Sequence, residues 1–295
     1  MRFRVQHESR WTYPRPAILG PHTIRLRPAH HAQAHIEQYT LRVSPPGAAV
    51  HWQQDATGNS VARLTYPYGV SVRVLSVAVD FVCDVTPSNP FDFLVDDGCA
   101  TLPFAYPADL AHDLAPYLDT AHPSLAGGPR VAALLERLPR TGPTIEMLGA
   151  FTAAVTQATH YIVREAEGIW TPERTLTEGR GSCRDSTVVL MAVLRARGLA
   201  ARFVSGYLVE RTSSATDGAV DDAASLHAWT EVYIPGGGWI GLDSTSGLFS
   251  SAGHIPLACA ATPALAAPIE GTSDTVATDV SFTVRIARLA ETRTM

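Results

Sequence analysis

There is no lysine in the 295 residues; all 23 basic side chains are arginine. GC-rich codon usage accounts for that bias. It leaves the N-terminus as the only primary amine, so the chain offers no lysine for self-crosslinking. Cysteine is scarce as well: Cys83, Cys99, Cys183 and Cys259, with no CxxC or other metal spacing. Charged residues make up 17% and the net charge is −5, without the clustered basic surface that nucleic-acid binding needs. No run approaches the ~18 apolar residues of a membrane span. The opening MRFRVQHESRWTYPRP has no apolar core of a secretory signal. These absences point to a cytoplasmic protein with reduced thiols, bound to neither nucleic acid nor membrane.

The apolar fraction is 46%, and a chain of this length folds comfortably as two domains with a core that requires no crosslinks. The first hundred residues read as strands. Thr40 to Val43 is a short β-prone run ended by Ser44-Pro45-Pro46-Gly47. Gly58-Asn59, between His51-Trp52-Gln53 and Val61 to Tyr66, signals a hairpin. Val70 to Val85 alternates as a half-buried strand does. Character changes after about residue 103. Pro107 to Leu118 and Val131 to Leu138 look helical, and Thr144 to Val163 spaces Ile145, Leu148, Phe151 and Val155 as an amphipathic helix. Ala258 to Pro268 reads as irregular and Val280 to Ala287 as a terminal strand. The expected division is a β domain over 1–105 and a core with a C-terminal strand over 106–295.

The chemistry lies between Gly179 and Thr245. Ser182 is a good N-cap, with Asp185 three residues on as a capping-box partner. A helix follows from Cys183 to Arg197, closed by Gly198, and Val188 to Leu194 is apolar all round. Cys183 therefore sits in the first turn of a buried helix, where unpaired N–H groups and the helix dipole favour a thiolate over a thiol that ordinarily titrates near ~8.5. The same N–H groups suit an oxyanion. Gly179 and Gly181 leave room for a substrate to approach the sulfur. After a strand over Ala201 to Glu210, His227 opens HAWTEVYI, three glycines follow, and Asp243 ends WIGLD. A hairpin at the glycines brings His227 and Asp243 together. The simplest register sets His227 nearer Ser246, so a bulge or slip is expected at the turn. Cys183 then attacks an acyl carbon, His227 moves the proton, and Asp243 fixes the imidazole.

Three blocks here resemble the transglutaminase-like superfamily: Gly181-Ser182-Cys183-Arg184-Asp185 with Leu194 to Tyr207, then His227 to Tyr233, then Trp239 to Thr245. His22 to Pro28, Pro45-Pro46 and Asp55 to Asn59 are similar to the β domain that precedes this core in bacterial members. The resemblance implies an α+β protein: an N-terminal antiparallel β-sandwich-like domain followed by a papain-like, transglutaminase-like core with a Cys183–His227–Asp243 triad. Two departures stand out. Ser244 occupies a position where the family often has proline, and Arg184-Asp185 replaces the family's usual residues after the cysteine. Tyr161 is the suggested second oxyanion donor.

Superfamily members share a thioester intermediate and differ in the acceptor. Hydrolysis of a peptide or protein amide needs no second substrate pocket and is the expectation. Transamidation to an amine, or a non-catalytic binding module retaining the fold, are the alternatives. No cofactor is expected. Asp217, Asp221 and Asp222 lack EF-hand spacing, and His30, His31 and His35 read as surface histidines, so no metal is expected. The polar stretch Thr212 to Ser225 is a candidate lid.

Overall fold

The computed structural model describes residues 1–32, 34–86, 89–164, 166–210 and 223–289. The N-terminal strands are β1 (Arg2–Ile24), β2 (Ala34–Ser44), β3 (Ala49–Gln54), β4 (Ser60–Thr65) and β5 (Ser71–Val85). The middle of the chain holds β6 (Thr101–Leu102), α1 (Ala108–Asp113), α2 (Ala115–Leu118), α3 (Pro129–Arg137), β7 (Gly142–Pro143), α4 (Thr144–Ala158), β8 (His160–Tyr161), α5 (Pro172–Glu178), β9 (Arg180–Gly181) and α6 (Cys183–Ala196). The sheet of the core follows: β10 (Ala201–Glu210), β11 (Ala223–Ile234), β12 (Gly238–Asp243), β13 (Leu248–Phe249) and β14 (His254–Ala260). The chain closes with β15 (Ile269–Ser273) and β16 (Asp279–Arg288).

The N-terminal sheet runs β2-β5-β1-β4-β3, and β1 is its spine. The first half of β1 pairs with β5 and β16, its second half with β4 and β15, with an irregularity between Thr12 and Ala17 where the strand changes partners. One long strand shared by two halves gives the curved, sandwich-like body. On the first half, Phe3, Val5, His7 and Ser9 turn inward while the residues between them face solvent. The inward histidine is satisfied by Tyr207 Oη at 2.8 Å and Ser9 Oγ at 2.7 Å. The terminal strand reached from the core segment is thus hydrogen-bonded into the N-terminal sheet: β16 pairs with β1 from Phe3 to Thr12.

The core sheet is antiparallel in the order β13-β12-β11-β10-β14. Residues Val188 to Leu194 of α6 are buried, as expected of a helix apolar on every side. They pack with α4 and with Phe203, Ala228, Val232, Ile240 and Leu242 of the sheet. A second core joins the N-terminal sheet to Tyr207, Val209, Ile255 and Leu257 on the far parts of β10 and β14. The core sheet is therefore held by helices at one end and by the β domain at the other. Ala258 to Pro268, expected to be irregular, begins as the end of β14 and continues through a 3-10 turn at Pro263–Ala266.

Candidate active site

Cys183 is the first residue of α6, partly buried, with Ser182 as N-cap. The organiser of this turn is Asp185. Its Oδ2 accepts from the Ser182 N–H at 2.9 Å, the Ser182 hydroxyl at 2.7 Å and Arg164 Nε at 2.9 Å. Its Oδ1 accepts from Arg164 Nη2 at 2.9 Å and the Trp170 N–H at 2.8 Å. Burial alone would raise the Asp185 carboxyl, but these donors outweigh it and hold it below its ordinary value. Asp185 is completely buried and Arg164 nearly so. Arg164 also spans back to the Gly168 carbonyl at 2.6 Å and lies 4.9 Å from the Trp170 ring centre. The departure Arg184-Asp185 thus has an architectural reason in its second member.

The glycines before the cysteine have roles other than the expected one. Gly179 is the left-handed cap of α5, at φ 64°. Gly181 is small because a Cβ there would meet the Asp185 Cβ at 2.9 Å and Thr175 Cγ2 at 3.0 Å. That space is filled by protein rather than left for substrate. Tyr161 lies on β8, registered with Gly181 in a parallel pair, and is about half exposed.

His227 and Asp243 come together without the expected bulge. The β11–β12 register is regular from Ile234↔Gly238 to Thr230↔Leu242. Extended by one pair, it sets Asp243 opposite Trp229, on the side to which His227 also points. The contact is then a diagonal one, which side chains of this length can span. His227 Nε2 lies 3.2 Å from Asp243 Oδ2. The ionised carboxylate only accepts, so Nε2 donates and Nδ1 is left for sulfur. The Cys183 side chain is near enough to this ring to act on its titration. Burial would lower the imidazolium, but the bond to Asp243 and then the contact with Cys183 reverse that and raise it to about 9. For Asp243 burial acts upward, while His227, His254 and the Thr245 N–H carry its carboxyl well below its ordinary value. This electrostatic setting favours an imidazolium beside the sulfur at neutral pH.

The residue that sequence reasoning missed is His254, first in β14. Its Nε2 is 3.3 Å from the same Asp243 Oδ2. Trp229 is buried beside both histidines: its ring is stacked 6.3 Å from His227 and set edge-on 5.1 Å from His254. No motif marks His254, and only the β10–β14 pairing brings it here.

The other cysteines are set apart chemically. Burial pushes Cys83 up to about 12 and Cys259 far above its ordinary range, and it also raises Cys99. Of the three N-terminal histidines, exposed on the surface as expected, His31 also meets a buried group: its Nε2 is 3.6 Å from Glu231 and 3.5 Å from Cys259 Sγ. His31, Glu231 and Cys259 include metal-binding types, as do His227, Asp243 and His254. In the first group Arg202 already occupies Glu231 at 2.6 Å and donates to His31 Nε2 at 3.4 Å. In the second, N–H donors surround the carboxylate. The candidate lid from Thr212 lies outside the described residues as far as 222. Among the described residues, no helix is long and apolar enough to cross a membrane.

Residues 133–244 match the family model described as Transglutaminase-like superfamily, and residues 3–84 match that of the Bacterial transglutaminase-like N-terminal region. An uncharacterised protein of Mycobacterium tuberculosis strain H37Rv is 29% identical over 255 residues, covering 83% of this chain and 79% of that one. One from Mycobacterium leprae is 32% identical over 116 residues, 39% of this chain and 40% of that protein. A crystal structure of a proposed cysteine protease from Cytophaga hutchinsonii has the same fold, with a TM-score of 0.69, 21% identity, and coverage of 100% of this chain and 93% of that one. A β domain led by one long shared strand, a buried helix opening on a cysteine, and two successive model matches give one answer: the chain carries a transglutaminase-like superfamily core over residues 133–244, with a bacterial transglutaminase-like N-terminal region over residues 3–84 ahead of it.

Proposed function

We propose that the chain is a cysteine-dependent hydrolase of peptide or other amide bonds, acting through a thioester acyl-enzyme. The observation that supports this best is a single imidazole, His227, bonded through Nε2 to Asp243 at 3.2 Å and raised further by the neighbouring Cys183. The Cys183 thiolate adds to the carbonyl carbon, and the carbonyl electrons move onto oxygen beside the first turn of α6. As the tetrahedral adduct collapses, the C–N bond breaks and His227 Nδ1 gives its proton to the leaving amine. Water then adds to the thioester, His227 takes its proton, and the C–S bond breaks to release the carboxylic acid. Asp243 holds the ring throughout and keeps the tautomer with hydrogen on Nε2.

The test uses glutamine-containing peptides with and without a labelled amine, followed by ammonia release and product mass. Hydrolysis that disappears in Cys183→Ala is the expected result. Amine incorporation exceeding hydrolysis would assign the acceptor as an amine instead. With no lysine on the chain, labelled product cannot be confused with lysine self-crosslinking. A wild-type Cys183 no more reactive to iodoacetamide than a free thiol would remove the enzymatic reading.

A further inference from the structure

The Asp243 carboxylate lies where β12 gives way to a turn, so the strand fixes its backbone better than its side-chain rotation. Oδ1 is held by the Thr245 N–H at 2.8 Å. Oδ2 receives His227 at 3.2 Å and His254 at 3.3 Å. The tautomer of His254 is fixed by its other side: the Ser251 N–H donates to Nδ1 at 3.1 Å, which leaves the ring proton on Nε2, aimed at Asp243. The ring is nearly buried, with a side-chain exposure of 8%.

We propose that His254 is a positioning residue for the Cys183–His227–Asp243 site, its Nε2–H aiming Asp243 Oδ2 at His227. The inference rests on the proposed function and adds a group to it. Without His254, the only donor left on Oδ2 among the described residues would be His227, the ring that Asp243 has to orient. His227 alternates between imidazolium and imidazole during the reaction, so its pull on the carboxylate changes at each step. The pull of His254 does not change, because its two nitrogens are committed to Ser251 and Asp243.

Packing supports the assignment. The indole of Trp229 packs against both imidazoles, whose ring centres lie 5.9 Å apart. It fits because residue 206 on the neighbouring strand is glycine: a Cβ there would collide with the Trp229 ring and the Ile255 carbonyl. Among the described residues, the charged and titratable groups facing His254 are these. Asp243 and His227 approach from β12 and β11. His31, Asp92 and Glu231 share with it the walls of a pocket of about 240 Å³ between the β domain and the core sheet, and Glu231 is neutralised by Arg202.

Three variants of the full chain test this: His254→Phe and His254→Met, which lack the donor, and His254→Gln, which restores an N–H. The readout is the rate of Cys183 alkylation by iodoacetamide against pH, read on the Cys183 peptide, with Tm as a control. The donorless variants are expected to react about tenfold more slowly near about pH 6.5, and to equal wild type near about pH 10. His254→Gln should stay within about threefold of wild type throughout. A wild-type profile in a folded donorless variant overturns the proposal. So does equal impairment of all three variants at every pH, which would mark a packing role. If wild-type Cys183 is reactive while the variants match it, only the role of His254 falls; an unreactive wild type removes the enzymatic reading with it.

Discussion

Replacing Asp243 with asparagine removes one charge and almost no volume, so it isolates what the carboxylate does to His227. The imidazolium lies at about 9 against an ordinary 6.5 despite burial that acts downward. That difference corresponds to about 3 kcal/mol in favour of the charged ring. Among the influences that raise it, the bond to Asp243 ranks ahead of the contact with Cys183. With asparagine, burial remains and the main compensation is lost, so the ring should titrate below about 6.5. A carboxamide that turns its NH2 toward Nε2 also forces the proton to Nδ1, where it blocks acceptance from sulfur. Turnover near pH 7 should fall by about 10²–10⁴-fold, and Cys183 alkylation by about 10²-fold. The assay is the pH–rate profile of alkylation on the Cys183 peptide, paired with NMR titration of His227. Cys83, Cys99 and Cys259, raised by burial, should stay unlabelled at neutral pH. An Asp243→Asn protein with the wild-type profile, and a His227 ring still titrating near about 9, would refute the reasoning.

Further outcomes follow from the same contacts. Arg164→Met leaves Asp185 buried without its cationic partner and should cost about 3–5 kcal/mol in urea unfolding, along with the nucleophile turn that Asp185 ties to Ser182. Gly206→Ala forces the Trp229 indole or the Ile255 backbone aside; a loss of about 1–3 kcal/mol should be joined by slower Cys183 alkylation, because Trp229 packs against both histidines. Stability should also fall at both ends of the pH range. Asp185 and Asp243 titrate below their ordinary 3.8 in the folded chain, so their contribution is full above about 4 and is lost as pH falls through the folded values. His227 is raised, so its contribution is full below about 6.5 and is lost as pH rises through about 9. Urea midpoints across pH measure both limbs, and a flat acid limb in wild type would contradict the hold that Arg164, the two histidines and the N–H donors have on these carboxylates.

The parts of the site written in local chemistry were legible in the sequence. An N-cap, a cysteine and a run of apolar residues announced α6 almost to its ends, and β10 was bounded correctly at Ala201 and Glu210. His227 and Asp243 were named, but their geometry was misjudged: alternate side chains on one sheet face meet diagonally, so no slip was needed. The spine of the β domain was missed because two of its inward positions, His7 and Ser9, are polar and break the expected alternation. Their justification is Tyr207, 200 positions after His7. The same holds for α5, whose sequence PERTLTE has little apolar periodicity. His254 and the pairing of β16 with β1 depend on strand order, which no local pattern encodes.

The Ser244 departure then acquires a physical meaning. Its hydroxyl donates to Ser186 Oγ at 3.0 Å, and the Ser186 hydroxyl donates in turn to the Cys183 carbonyl at 3.1 Å. The residue after the acid is thus linked to the residue that bears the nucleophile. A second path runs from β11: Thr230 Oγ1 donates to the Thr187 carbonyl at 3.2 Å, and Thr187 Oγ1 to the Cys183 carbonyl at 2.7 Å. A third comes from α4, where Thr156 Oγ1 donates to the Ser244 carbonyl at 2.7 Å. Proline in place of Ser244 would stiffen the chain after the acid but would have no hydroxyl to offer α6. Here short hydroxyl bridges tie the strand ends carrying His227 and Asp243 to the first turn of the cysteine helix. All of these elements are buried and regular, and placement on such elements keeps reacting groups within the fraction of an ångström that proton transfer requires.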